Sequence, residues 1–387
     1  MHRLSLLLLA VLACNTPEPS NPSTPLARTD TLSDGTVRVL NDAPSEPGQW
    51  RLVEERRIAD APLHLGMVRD LALHPDGTVF VADLEPVLIH RFSASGMHDG
   101  TIGQAGSGPG EFADAFLALK GDTVLVQDRR ASRVTRFHRD GTPLDFLASA
   151  CCATEGVGHD RDGHLLVPIP AGQQGSRHWL RIGANDTLVV EDSRITTPKV
   201  WQVTFPEGGG FGKYVPMAPT VRYAFDPTGT VLTAWSGEYL IRAHGRTEGP
   251  TQFGRHVPAR PRLSEAERGR IARELAESDA QLEELPVEIL RSAYDPMLIP
   301  SEPELFDWLW VDPAGHTWVQ RVVPGADSVQ LDLFDRSGVL LDEVRLPRAG
   351  WPTHPHTRPA SWTSDRVAVA VEGEAGTEII IYRVVRK

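Results

Sequence analysis

From Val68 onward the chain alternates short apolar runs with turn-forming residues. Leu71 and Leu73 lead into Pro75-Asp76-Gly77-Thr78, where glycine supplies the positive-φ corner of a tight turn. TVFVAD (78–83) follows as a β-rich strand, Leu88, Ile89 and Phe92 mark a third, and Ser95-Gly96 makes a second turn. The same order returns at once, with Leu117 and Leu119, Gly121-Asp122, VLVQD (124–128), RVTRF (133–137) and Asp140-Gly141. A repeat of about 45 residues carrying four short strands is the signature of propeller blades, which stack because none can bury its faces alone.

The turns place six units, at Asp76-Gly77, Gly121-Asp122, Asp162-Gly163, Thr228-Gly229, Ala314-Gly315 and Ser364-Asp365. Each precedes a second strand (TVFVAD, TVLVQD, HLLVPI, TVLTAW, HTWVQR, RVAVAV) and then a third (LIHRF, RVTRF, HWLRI, YLIRA, VQLDLF, EIIIYRV). The sixth unit reaches Lys387 after its third strand and lacks an outer one. Trp50 to Ala59 (WRLVEERRIA) is a strand without a blade, so it is expected to cover that bare edge and close the ring. The pattern therefore predicts an all-β, six-bladed β-propeller. Residues 196–219 read as a long Gly/Pro loop, with Gly208-Gly209-Gly210-Phe211-Gly212 as a flexible stretch.

One segment keeps a different period. Ser264-Glu265-Ala266-Glu267 is a capping box, and Ile271, Leu275 and Leu282 fall on one helical face before Pro286. Residues 263–295 are expected to form a small helical insertion between blades four and five, with a short second helix over 287–294. It either packs over a blade or serves as a lid or docking surface.

Composition changes little in this picture. Hydrophobic residues at 41% and charged ones at 23% are those of an ordinary globular chain, and 34 Gly with 31 Pro suit many turns. The net charge of −12 argues against a nucleic-acid partner. The N-terminus carries an address. Met1-His2-Arg3 precedes an apolar run too short to span a bilayer, and the run ends in Val11-Leu12-Ala13-Cys14. This resembles the bacterial lipobox, which implies a signal peptide over 1–13, acylation of Cys14 and export to a membrane as a periplasm-facing or surface protein. The Pro/Ser/Thr-rich stretch that follows is expected to be a disordered tether over 14–36, with the propeller over 37–387. Cys151 and Cys152 are left either as a vicinal disulfide or as two buried thiols.

Gly106-Ser107-Gly108-Pro109-Gly110-Glu111-Phe112, set between HPDGTVFVAD and the next strand, resembles the GxGPGEF segment of NHL-repeat proteins. Arg133-Val134-Thr135-Arg136-Phe137 matches their R-V-x-x-F strand, and the likeness covers 68–147 before fading. It implies an NHL/TolB-like six-bladed propeller of the lipoprotein kind. Relatives of this shape include lactonases and amidating lyases that hold a metal at the channel. Residues entering the innermost strands are the candidate channel-mouth ligand site: Arg69, Asp70, His159, Arg222, Tyr223 and Asp307. Their mix of charged and aromatic groups suits a small polar ligand. His354-Pro355-His356 is explained by a Pro-flanked loop, and no motif names a catalytic residue, a cofactor or a metal site. The leading expectation is a lipid-anchored envelope module that binds a ligand or an envelope protein, meeting the membrane only through its lipid. The alternative is a propeller hydrolase or lyase with a channel-mouth divalent metal.

Overall fold

The computed structural model describes residues 26–58, 65–128, 130–148, 157–160, 162–169, 175–184, 186–193, 195, 199–246, 249–282, 284–323, 326–347, 360–373 and 376–387. Cys14, Cys151, Cys152 and the His354–His356 loop lie outside these.

Six antiparallel sheets form the blades, at 68–102, 116–148, 158–191, 221–255, 306–347 and 360–386. Each of the six turns that placed the units joins a blade's innermost strand to its second, as at Val68–Leu73 with Val79–Leu84 and Phe116–Lys120 with Thr123–Asp128. The chain is a six-bladed β-propeller. Each blade is apolar on both faces, and the buried clusters fall between neighbours. Leu71, Val79 and Val81 of blade one meet Ala368, Ile379 and Ile381 of blade six. On the other side Phe80 and Ile89 meet Leu117, Val124 and Phe137 of blade two. Matching clusters continue around the ring.

Closure follows the expectation. Trp50–Ile58 pairs antiparallel with Gly376–Arg386 as the outermost strand of blade six. Ion pairs reinforce it, Arg57 to Glu378 at 2.5 Å and Arg366 to Glu55 at 3.0 Å. Ile58 joins the core between blades six and one, while Trp50 and Leu52 pack against that between five and six.

The chain before this strand departs from the expected tether. Residues 27–36 belong to a hairpin rather than to a disordered segment: Ala27–Thr31 pairs with Val37–Asn41, which adds in parallel to the outer edge of blade four at Gln252–Arg255. Asn41, fully buried, explains the docking. Its amide donates to the carbonyls of Gly254 in blade four and Gly338 in blade five, and its Oδ1 accepts the N–H of Leu340. Ser45 and Glu46 then pair with Leu340 and Leu341, and the buried Asp342 carboxylate accepts the N–H groups of Gly48 and Trp50. The segment thus straps blades four, five and six in turn.

The GxGPGEF signature has a structural reading. Gln104–Ala105 lies parallel to Glu111–Phe112, and Phe112 is buried between blades one and two. A Cβ at Gly106 would sit 2.1 Å from the Glu111 carboxylate, which folds back to accept the N–H of Gly108. Arg133 grips the carbonyls of Ser107 and Gly108. The motif locks a loop between two blades.

Candidate functional site

The insertion does not stand alone. Helix α1 (Glu265–Leu282) and helix α2 (Val287–Ala293) separate blades four and five, and Ser264 and Glu267 form the expected capping box. The supposed loop 196–219 contains a second hairpin, Val200–Thr204 with Gly210–Tyr214, so the glycine run is a turn and strand rather than a flexible stretch. Alternation explains it, because Trp201 and Val203 point to one side and bury against Ala272, Ala276, Leu290 and Tyr294. Trp201 stacks on Tyr294 with centroids 4.3 Å apart and donates Nε1 to the carbonyl of Asp295. Hairpin and helices make a cap with a core of its own.

Asp279 pins that cap. Nearly buried, it accepts from Lys213 Nζ of the hairpin at 3.0 Å and from the Tyr294 hydroxyl at 2.7 Å. The expected stripe plays a different part from the one read in the sequence. Among the described residues the buried apolar positions of α1 are the small Ala272 and Ala276, whereas Ile271 and Leu275 are half-buried and line a cavity beneath the cap. Replacing Asp279 with alanine should leave Lys213 and Tyr294 unanswered at a cost of about 1–3 kcal/mol. The expected result is faster amide exchange across α1 and the 200–214 hairpin, with protection in the blades unchanged.

The cavity is the central channel, about 1600 Å³, roofed at one end by the cap. Its wall is built by the innermost strands, with Phe116, His159, Tyr223, Trp308, Trp310 and Trp362 prominent. Beneath the cap lies a charged cluster. Arg222 Nη2 donates to Asp307 Oδ1 at 2.6 Å and to Glu304 Oε2 at 3.3 Å, and its guanidinium lies 5.7 Å from the Trp308 ring centroid. Ser236 Oγ donates to the same Glu304 oxygen at 3.1 Å. Glu304 is only 6% exposed. Burial pushes its carboxyl up to about 7; Arg222 opposes the rise and the nearby Asp307 charge adds to it. A carboxyl that exchanges its proton near neutrality can act as an acid or a base.

Of the residues proposed from sequence, the structure brings Arg222, Tyr223, Asp307 and His159 to the channel wall. Burial, with Lys120 nearby, pulls the His159 imidazole below its ordinary range, and burial pushes the Tyr223 phenol up to about 12. Arg69 and Asp70 are engaged elsewhere. Arg69 forms a buried ion pair with Asp114 at 2.9 Å, and Asp70 accepts the N–H groups of Leu71 and Leu117, stitching blade one to blade two. Glu304 and Trp310 were not singled out in the sequence.

Among the described residues, one group of side chains could converge on a metal: Asp160, Asp162 and His164. It sits in the turn after the inner strand of blade three, where Asp160 borders the channel. Asp160 already accepts the N–H groups of Asp162 and His164 and the His164 ring. The same arrangement recurs at Asp312 with His316, and at Asp226 with Thr230. It is the way these blades build their first turn.

Fold and site together define a six-bladed propeller with a roofed channel. No protein-family model and no curated protein sequence matches the chain. Solved structures of similar shape include a protein of Bacteroides fragilis described as exported, 12% identical with a TM-score of 0.49, covering 89% of this chain and 98% of its own. Virginiamycin B lyase from Staphylococcus aureus is 9% identical with a TM-score of 0.44, covering 87% and 100%. The calcium-binding protein regucalcin from Agrobacterium tumefaciens is 11% identical with a TM-score of 0.42, covering 87% and 96%. At such distances these likenesses say nothing of activity; the blade count rests on the strand pairing above.

Proposed function

We propose that the chain is an exported, lipid-anchored propeller of the cell envelope whose roofed channel binds a small polar ligand. The observation that carries the binding reading is the cap. A second hydrophobic core assembled over one channel mouth is not required by the blades, and it overhangs a cavity walled by aromatic residues and an acid–base cluster. A cavity recessed in the channel favours a small ligand over the surface of an envelope protein. Native purification followed by mass spectrometry of co-purifying small molecules tests this. A channel-bound molecule lost on Trp308 substitution supports it, and retention of the same molecules by that variant counts against it.

A second reading, a hydrolase or lyase using a divalent metal at the channel mouth, draws on one observation, the Glu304 proton poised near neutral pH. Metal analysis of the native protein decides it.

The anchor rests on Val11-Leu12-Ala13-Cys14. No helix among the described residues is long and apolar enough to cross a membrane. Cys14→Ser should abolish labelled palmitate incorporation and release the protein from the membrane fraction, since stable anchoring needs more than one acyl chain. Continued membrane fractionation of the variant would place the anchor elsewhere.

A further inference from the structure

We propose, building on the ligand-binding reading of the roofed channel, that its occupant is a glycan: a pyranose ring laid on the indoles of Trp308 and Trp310, its hydroxyls held by Arg222 and Asp307. Trp308 and Trp310 lie two apart on the inner strand Phe306–Val311, with ring centroids 6.0 Å apart and planes inclined by 18°. Trp362 of the next blade continues the surface at 6.4 Å and stacks in turn on the buried Trp318 at 4.3 Å. Trp318 belongs to the core between blades five and six, and Trp310 and Trp362 pack against that core with one side while they and Trp308, all half-buried, line the channel. Trp308 belongs to neither of the cores that flank blade five, so blade packing does not account for its place on the wall.

The chemistry at the end of the wall selects among ligands. Arg222 is already answered by two carboxylates, so an anion would meet Asp307 and Glu304 and a cation would meet the guanidinium. A neutral ligand fits best. A purely apolar ring would strip water from Asp307 and return no hydrogen bond. Gln320, 8% exposed, lines the same channel, and its Oε1 lacks a partner among the described residues. A sugar ring answers both demands. Its C–H face meets the negative face of the indole, and its rim of hydroxyls both donates and accepts. The cavity, about 1600 Å³, exceeds the roughly 300–1,000 Å³ of drug-sized sites, leaving room for more than one ring.

The test is a tryptophan-fluorescence titration of the full chain with cellobiose, maltose and diacetylchitobiose. Tetramethylammonium serves as the cationic control, and anilinonaphthalene sulfonate as a probe of the apolar wall. A saturable shift with at least one disaccharide is expected. Its Kd should rise about tenfold or more in Trp308→Ala and in Asp307→Asn. The milder Asp307→Asn should melt like the parent, separating lost binding from lost fold. If the apolar probe binds in a Trp308-dependent way and no disaccharide shifts the spectrum or displaces it, the glycan assignment fails while the ligand-binding reading stands. Saturable binding of tetramethylammonium in place of the sugars overturns the assignment too. If no probe binds in a Trp308-dependent way, both fall.

Discussion

A chain beginning at residue 59 should not fold cooperatively, whereas one beginning at residue 37 should unfold much like the parent. Trp50–Ile58 pairs with residues 379–386 and feeds side chains into two cores, between blades six and one and between five and six. Its loss bares a long apolar strand edge and opens the ring at one joint. The expected cost exceeds about 4–5 kcal/mol, a large share of a domain's whole stability. Residues 27–31 are by contrast almost wholly exposed, and removing them should change stability by about 1 kcal/mol or less. A chain beginning at residue 50 should fall between, because it lacks Asn41 and leaves the carbonyls of Gly254 and Gly338 unanswered. Denaturant unfolding followed by far-UV circular dichroism and tryptophan fluorescence reads the series. Superimposable transitions for chains starting at 37 and 59 would refute the closure.

The second large effect is a pH dependence that Glu304→Gln should erase. The Glu304 carboxyl titrates at its ordinary 4.5 when unfolded and is pushed up to about 7 in the fold. Below 4.5 both states hold the proton. Between 4.5 and 7 the unfolded chain releases it while the folded chain keeps it, so rising pH favours unfolding through that window. Above 7 the loss is complete. Parent and variant should be about equally stable at pH 4.5, and the variant should gain about 1–3 kcal/mol over the parent at pH 8. The amide oxygen introduced by Glu304→Gln can still accept from Ser236 and Arg222, so the difference isolates the charge. A gap between the two that stays constant from pH 4.5 to 8 would show that Glu304 is not held protonated by its surroundings. A buried carboxyl that costs stability at neutral pH is the kind of residue a binding or catalytic site retains.

Six blades were legible because each carries its turn and strands within one short stretch, and the turn at Ala314-Gly315 is as visible as that at Asp76-Gly77. Closure was legible from an orphan strand at one end and a missing one at the other. What escaped depended on partners far away in the chain. VRVLN (37–41) alternates like a strand, yet its polar neighbours masked it, and its partner is at 252–255. The 200–214 hairpin was hidden by glycines that suggested looseness, although Trp201 and Val203 held the strand period. Its burial comes from helices about 60–90 residues further on. Glu304 gives no local signal at all. Its proton affinity comes chiefly from burial in the fold, against the pull of Arg222 and Ser236, which lie far from it in sequence. The channel positions of Arg222 and Asp307 were read from their place ahead of inner strands, but the same rule also picked out Arg69 and Asp70, which tie blades together.

The closing strand also sets an order of events in time. Arg57 and Glu378, an ion pair across the closing seam, are 321 residues apart. During synthesis the early strand must wait, unpaired, until residues 376–386 are delivered. Blades one to five can condense by local pairing, but the ring stays an open arc until then. A chain made from its N-terminus therefore remains incompletely folded until its sixth blade emerges, and the ring closes only then.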